Sequence, residues 1–196
     1  MFIVGITGGI GSGKTTVCKI FEVFGVPVYY ADERAKWLLN NDNLIIESVI
    51  SLLGSDAYSN GLLNRAFIAN KVFNDSTLLE AYNNIIHPAV AEDTLIFSSK
   101  YLDKPYILKD AALLVETGSY LTLDKLIVVT APLQERINRV IQRDNVAEKE
   151  VLVRIKNQLP EEEKLKVADY IIVNDGNSSL IEQVKAIHQE LLLMAY

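Results

Sequence analysis

The chain is poor in the features that mark secreted, membrane-embedded or nucleic-acid-coating proteins. Cysteine is nearly absent: Cys18 stands alone, so no intrachain disulfide can form and a reducing, cytoplasmic setting is expected. No apolar run approaches the roughly 18 residues that read as a membrane span. The N-terminus also lacks a basic lead before an apolar segment, so neither a secretory signal nor a membrane partner is expected. Basic residues are in the minority, with 19 Lys and Arg against 25 Asp and Glu. The net charge of −6 argues against a global attraction to nucleic acid, so positive charge facing a phosphorylated substrate has to be local. The sequence shows no internal repeat, no low-complexity tract and no sign of an obligate protein partner. A length of 196 residues allows one to two domains with a proper core.

What the chain does have is unevenly placed. Five of its ten glycines fall between positions 5 and 13, in "GITGGIGSGKTT", directly behind the apolar "MFIV". Glycine is costly to order, so such a cluster marks a backbone shape or a close approach that side chains would block.

Five short apolar runs rich in Ile, Val or Tyr read as strands: 2–7, 26–31, 105–111, 125–131 and 169–175. They do not alternate cleanly, the pattern of strands buried on both faces of a parallel sheet. Helical stretches separate them at 14–24, through most of 32–99, at 132–143, in parts of 147–168, and at 178–194. The expected fold is α/β: a P-loop core with a five-stranded parallel sheet flanked by helices, joined by right-handed crossovers. The second and third strands are joined by roughly 75 residues, where a crossover helix needs about a dozen. That excess reads as a helical insertion over 32–104. The charged stretch 143–168, broken by Pro160 and without a wide apolar face, reads as a mobile helical lid. The core is then 1–31, 105–142 and 169–196.

Gly8, Gly13, Lys14 and Thr15 satisfy the spacing G-x-x-x-x-G-K-[ST] between a strand and a helix. In that motif backbone amides of the loop, here Gly8, Gly9, Gly11, Ser12, Gly13, Lys14, Thr15 and Thr16, converge on phosphate oxygens. The helix N-terminus adds unpaired N–H groups and a positive dipole end. Lys14 reaches the β- and γ-phosphates, and the Thr15 hydroxyl ligates Mg²⁺. The motif therefore calls for ATP or a similar triphosphate with Mg, either in a phosphotransferase or in a nucleotide switch. A guanine-specific switch normally carries Asn-Lys-x-Asp and Asp-x-x-Gly; here "NKVF" at 70–73 ends in Phe and no Asp has Gly three residues later. An LSGGQ-like stretch is also absent. The balance favours a kinase.

A kinase needs a group to orient the acceptor hydroxyl. Asp32 lies at the C-terminal end of the second strand, where an open parallel sheet binds ligands. It can serve as a base, or as the N-cap of the following helix. Asp110 ends the third strand and can hold Mg²⁺ through water, or act as a cap or a solvated loop residue. Glu116, in "LLVETG", is a second acid near the site or an ordinary helix-surface glutamate. Arg136, Arg139 and Arg143 recur at spacings of three and four on one helical face. Guanidinium groups suit a transferring phosphoryl group, although a solvated basic face is their commoner fate. The lid position favours Arg139 and Arg143 over Arg136. His87-Pro88 suggests a helix break.

Together these pieces resemble dephospho-CoA kinases over essentially the whole chain. The resemblance is carried by "GITGGIGSGKTT", by the aspartate of "YADERAK", and by Arg65 and Phe73 in "LLNRAFIANKVF". It continues through Asn83, His87 and Pro88 in "NNIIHPAV", then "AALLVETG", "RVIQRD" and "RIKNQLPEEEKLKVADYIIVNDG". The chain departs from the family's usual Pro-Leu-Leu-Phe-Glu at Ala112 and Val115. The resemblance implies ATP-dependent phosphorylation of the ribose 3′-hydroxyl of dephospho-CoA, with a helical CoA-binding domain and a lid. It implies Asp32 as the base, Arg65 and His87 on the acceptor side, and Arg139 and Arg143 at phosphate or adenine near the lid. It also places Asn174 and Gly176 near the ATP base. The Lys14→Ala chain is expected to lose turnover by about 10²–10³-fold, as when a transition-state charge contact is removed; an unchanged kcat in a steady-state assay would contradict the phosphate-loop assignment.

Overall fold

Five parallel strands organise the chain in the computed structural model, which describes residues 1–72 and 75–195. In chain order the elements are β1 (Phe2–Gly8), α1 (Lys14–Val23), β2 (Val28–Tyr30), α2 (Ala31–Asn41), α3 (Asn43–Leu53), β3 (Tyr58–Ser59), β4 (Leu62–Leu63), α4 (Arg65–Val72) and α5 (Ser76–Ser99). They continue with β5 (Tyr106–Asp110), β6 (Lys125–Thr130), α6 (Leu133–Asp144), α7 (Glu148–Lys156), α8 (Glu161–Lys166), β7 (Tyr170–Val173) and α9 (Leu180–Met194). The chain divides into two compact units: Met1–Tyr30 with everything from Tyr101 onward, and Ala31–Lys100.

The first unit holds the sheet, in the order β2-β5-β1-β6-β7 with every pairing parallel. β1 is central, and the chain moves first to one side of it and later to the other. That reversal is the point in an open α/β sheet beyond which ligands bind. Both faces are covered. Val4, Ile6, Leu108, Ile127, Val129 and Ile172 pack with Val17, Cys18 and Phe21 of α1 and Val184, Ile187 and Leu191 of α9. On the other face Leu114, Leu126 and Val128 pack with Leu123, Leu165 and Val167. Double burial explains why the strands read as continuous apolar runs. The edge strand β7 is closed off locally: the Gln183 side chain accepts from the Val173 N–H (2.8 Å) and donates to its carbonyl (2.9 Å), which blocks further strand pairing at that residue.

The second unit has its own core, built from Leu38, Leu39, Ile45, Val49, Leu53, Ala57, Ile68 and Val72. Its helices start on side-chain caps. Asp42 accepts from the Leu44 and Ile45 amides ahead of α3, and Asp75 from the Leu78 amide ahead of α5. Within this mostly helical stretch β3 and β4 form a small antiparallel hairpin, with positive φ at both turn residues, Asn60 and Gly61. Strands of two residues are too short to carry a readable period. One expectation is corrected here: Pro88 does not break a helix, because α5 runs unbroken from Ser76 to Ser99 with Pro88 inside it. The Tyr58 hydroxyl donates to the Leu39 carbonyl at 2.7 Å, and burial pushes its pKa up to about 12.

His188 of α9 lies against the start of β5, with Nδ1 2.6 Å from the Tyr106 hydroxyl and its ring stacked on Phe24. Burial holds its pKa below the ordinary 6.5, and a Tyr106 hydroxyl that donates to Nδ1 requires the neutral ring. As pH falls the unfolded chain therefore takes up this proton first, so stability drops below about pH 6.5 until the folded pKa is passed. Denaturant midpoints are expected to decline between about pH 7 and pH 5.5, with a shallower decline in His188→Gln; identical slopes would remove His188 from the account.

Candidate active site

Residues 9–13 connect β1 to α1, and the carbonyl of each is taken by a donor. Ser12 N–H donates to the Gly9 carbonyl at 3.0 Å, and the Thr16 and Val17 amides donate to that of Gly13 at 2.9 and 3.2 Å. Arg136 Nε donates to the Ile10 carbonyl at 3.0 Å, an Arg139 guanidinium nitrogen lies 3.5 Å from the Gly11 carbonyl, and the Asn174 amide donates to that of Ser12 at 2.8 Å. With the carbonyls drawn outward, amides are left for an anion. No side-chain oxygen caps α1 at Gly13, and no acidic residue sits in its first turn. This open N-terminus offers N–H groups and the positive end of the helix dipole. Among the described residues the buried Ser12 hydroxyl has no hydrogen-bond partner.

Two glycines are required by the protein's own packing as well as by any ligand. A Cβ on Gly11 would lie 2.4 Å from the Arg136 carbonyl oxygen, at φ +79°. One on Gly13 would lie 2.1 Å from the Asn174 amide nitrogen, at φ +91°. Their conformation is one that L side chains rarely adopt.

Lys14 opens α1 and its ammonium forms an ion pair with Asp110, the buried last residue of β5. The Thr15 and Thr16 side chains are exposed beside it. Cys18, one turn on, has its thiol pKa raised far above the usual range, chiefly by burial with Asp110 adding to the effect. That thiol is not a nucleophile.

The three arginines of α6 have three different environments. Arg136 is buried: besides holding Ile10 it donates to Glu161 at 2.9 Å, and Glu161 also accepts from Thr130 at 2.6 Å. Arg139 is partly buried between the Gly11 and Asn174 carbonyls, 3.0 Å from the latter. Arg143 lies on the surface, paired with its neighbour Asp144, which also accepts from Arg154. Those two guanidinium groups hold the Asp144 carboxyl down to about 2. The sequence ranking placed Arg136 last, yet it is the most buried of the three and makes the shorter hydrogen bond to the loop, 3.0 Å against 3.5 Å for Arg139. Asn174 is fixed by its own N–H to the Thr130 carbonyl (2.8 Å), whereas Gly176 is exposed, with open space among the described residues where a Cβ would lie.

Sequence reasoning placed the segment that follows α7 in a mobile lid and missed the inward contacts of its side chains. Gln158 accepts from the Ile10 N–H at 2.9 Å. Lys164, with a side chain only 1% exposed, pairs with Glu116 at 2.6 Å, and Glu116 accepts from the Leu159 amide at 3.3 Å. Glu116 is therefore not an ordinary surface glutamate. A run such as "EEEK" carries no signal of which charges turn inward.

The remaining candidates lie in the second unit. Asp32 is the second residue of α2 and exposed, so it sits inside the first turn and not at the N-cap. Arg65 starts α4, close enough to Tyr82 that its charge offsets part of the rise that burial causes in the tyrosine pKa. His87 is exposed midway along α5. Phe73 lies outside the described residues.

Comparison with known proteins bears on the whole arrangement. Residues 2–179 match the family model described as dephospho-CoA kinase. The chain is 39% identical over 181 residues to the dephospho-CoA kinase of Bacteroides fragilis, covering 92% of this chain and 88% of that protein. Among solved structures, a Thermus thermophilus protein superposes with a TM-score of 0.85 at 36% identity, covering 97% of both chains. The dephospho-CoA kinase of Campylobacter jejuni gives 0.70 at 26% identity, over 99% of this chain and 98% of that one.

Gly11→Ala is expected to destabilise the chain by about 1–3 kcal/mol, because the added carbon meets backbone that cannot swing aside. A denaturation midpoint equal to that of the unaltered chain would show that the loop yields easily.

Proposed function

The chain belongs to the dephospho-CoA kinase family, and on that premise we infer that it is an ATP-dependent kinase that phosphorylates the ribose 3′-hydroxyl of dephospho-CoA, the last step of coenzyme A synthesis. The observation that carries the site assignment is the uncapped start of α1, with the loop carbonyls tied back and Lys14 at its mouth. The amides of that loop bind the β-phosphate region of ATP. Lys14 exchanges its ion pair with Asp110 for contact with the transferring group. The acceptor oxygen bonds to the γ-phosphorus as the bond to the β–γ bridging oxygen breaks, ADP leaves, and the hydroxyl proton passes to Asp32. Arg139, already against the loop, contributes charge to the phosphoryl oxygens, and Arg143 joins it if released from Asp144. Asn174 and Gly176 border the adenine.

Residues 32–104, with Arg65 and His87, hold the acceptor, and 143–168 act as the lid, of which 158–164 is the anchored base, tied to the core through Gln158, Glu161 and Lys164. Water exclusion matters because water competes as phosphoryl acceptor. Among the described residues no cluster of three or more His, Cys, Asp or Glu side chains could hold a metal ion alone. A magnesium ion bound chiefly by phosphates needs only one or two protein oxygens, and Thr15 and Asp110 fit that need. When bound, Mg²⁺ neutralises charge on the β- and γ-oxygens.

Two measurements test this reading. Asp32→Asn is expected to lower kcat by about 10²–10⁴-fold with ATP affinity nearly unchanged; near-normal turnover would reduce Asp32 to a favourable charge in the first turn of α2. With ATP and a panel of acceptors, ADP release is expected with dephospho-CoA, and the ³¹P spectrum of the product should show a phosphate coupled to the ribose 3′ proton. Preference for a nucleoside monophosphate would overturn the substrate assignment.

A further inference from the structure

The hydrogen bonds to Ile10 come from two side chains, Arg136 and Gln158, to which the reaction scheme gives no role. The peptide plane between Gly9 and Ile10 is satisfied on both sides: its carbonyl accepts from Ser12 N–H at 3.0 Å, and its N–H donates to Gln158 Oε1 at 2.9 Å. The next plane, between Ile10 and Gly11, is held at its carbonyl by Arg136 Nε at 3.0 Å. Because a peptide is planar, fixing the Ile10 carbonyl also fixes the direction of the Gly11 N–H. Neither holder is free to drift. Arg136 is buried and tied to Glu161, which Thr130 at the end of β6 also holds. Gln158 is followed by Leu159, whose amide donates to Glu116, and Glu116 pairs with the buried Lys164.

We propose that Gln158, with Arg136 opposite it, is a positioning residue that sets the phosphate loop for ATP by holding the peptides on either side of Ile10, and that the 158–164 segment is the strut carrying it. Gln158 makes its bond to the loop backbone, so its effect on ATP runs through the direction of the loop amides. The strut ties the end of α7 and the start of α8 to the loop through Gln158, and to the sheet through Glu161 and Thr130. This deepens the ATP site of the proposed kinase and rests on that reading.

Gln158→Met keeps the side-chain length and removes the acceptor. In the full chain, ATP affinity measured by calorimetry without acceptor is expected to fall about three- to tenfold, the range of one hydrogen bond. The KM for dephospho-CoA should stay within about twofold, since only the donor site is altered. The melting temperature should shift by only a few degrees, roughly the effect of about 1 kcal/mol. Unchanged ATP affinity would overturn the proposal, as would equal losses for both substrates, which mark a general structural role. Should Gln158→Met fail to fold, amide hydrogen exchange in the unaltered chain decides: a protected Ile10 N–H supports the proposal, and exchange at the unstructured rate refutes it. If the unaltered chain binds ATP yet leaves dephospho-CoA unphosphorylated, the substrate reading fails while the calorimetric comparison still decides the role of Gln158.

Discussion

A loop that binds phosphate has to turn its carbonyl oxygens away from the anion and its N–H groups toward it, and most of the first unit can be understood from that requirement. From Gly9 to Gly13 each carbonyl is taken by a donor, supplied by the loop, by α1, by two arginines of α6, or by Asn174 after β7. Each donor is placed by the sheet. α6 follows β6, Asn174 follows β7, and both strands lie on the same side of β1. The parallel order brings their C-terminal ends to the end of β1 where the loop begins, so strand topology sets the loop geometry. An anion entering the site then meets amides already oriented, and it need not spend binding free energy on ordering them.

Charge is distributed by the same logic. The chain as a whole is acidic, yet Lys14, Arg136 and Arg139 converge on one loop. Two of these are tied to acids in the structure, Lys14 to Asp110 and Arg136 to Glu161. Burial does not separate the two pairs; what does is that Arg136 also holds the Ile10 carbonyl and Glu161 also accepts from Thr130, so the Arg136–Glu161 pair suits a fixed brace. In the proposed mechanism Lys14 exchanges Asp110 for phosphate, and a pair made by two side chains at the mouth of the loop suits such an exchange.

The sheet was legible because each of its strands is a short apolar run bounded by turn residues, and the P-loop because its spacing is set by backbone geometry. Boundaries shifted where capping and helix starts intervene: β2 is confined to Val28–Tyr30, since Ala31 already begins α2. What the sequence hid is the inward turn of polar residues. Arg136, Gln158, Glu161 and Lys164 sit in stretches that read as solvated, and only tertiary contacts distinguish Lys164, almost fully buried, from exposed Lys166 two positions later. The sequence left Glu116 between two readings for the same reason. Pro88 shows the opposite effect, a strong local signal overridden within a long helix. The family comparison fixes the reaction class, while the hydrogen bonds around Ile10 come from the structure alone.

The central claim is that the loop amides, presented by carbonyls tied outward, are what ATP meets. The direct measurement is the amide proton–nitrogen spectrum of the full chain as ATP is added. Charge-assisted hydrogen bonds to phosphate should move the Gly11, Gly13, Lys14 and Thr15 amides strongly downfield. The Ile10 amide, already bonded to Gln158, should move little. Saturating ATP that leaves Gly13, Lys14 and Thr15 in place while shifting residues elsewhere would contradict the account.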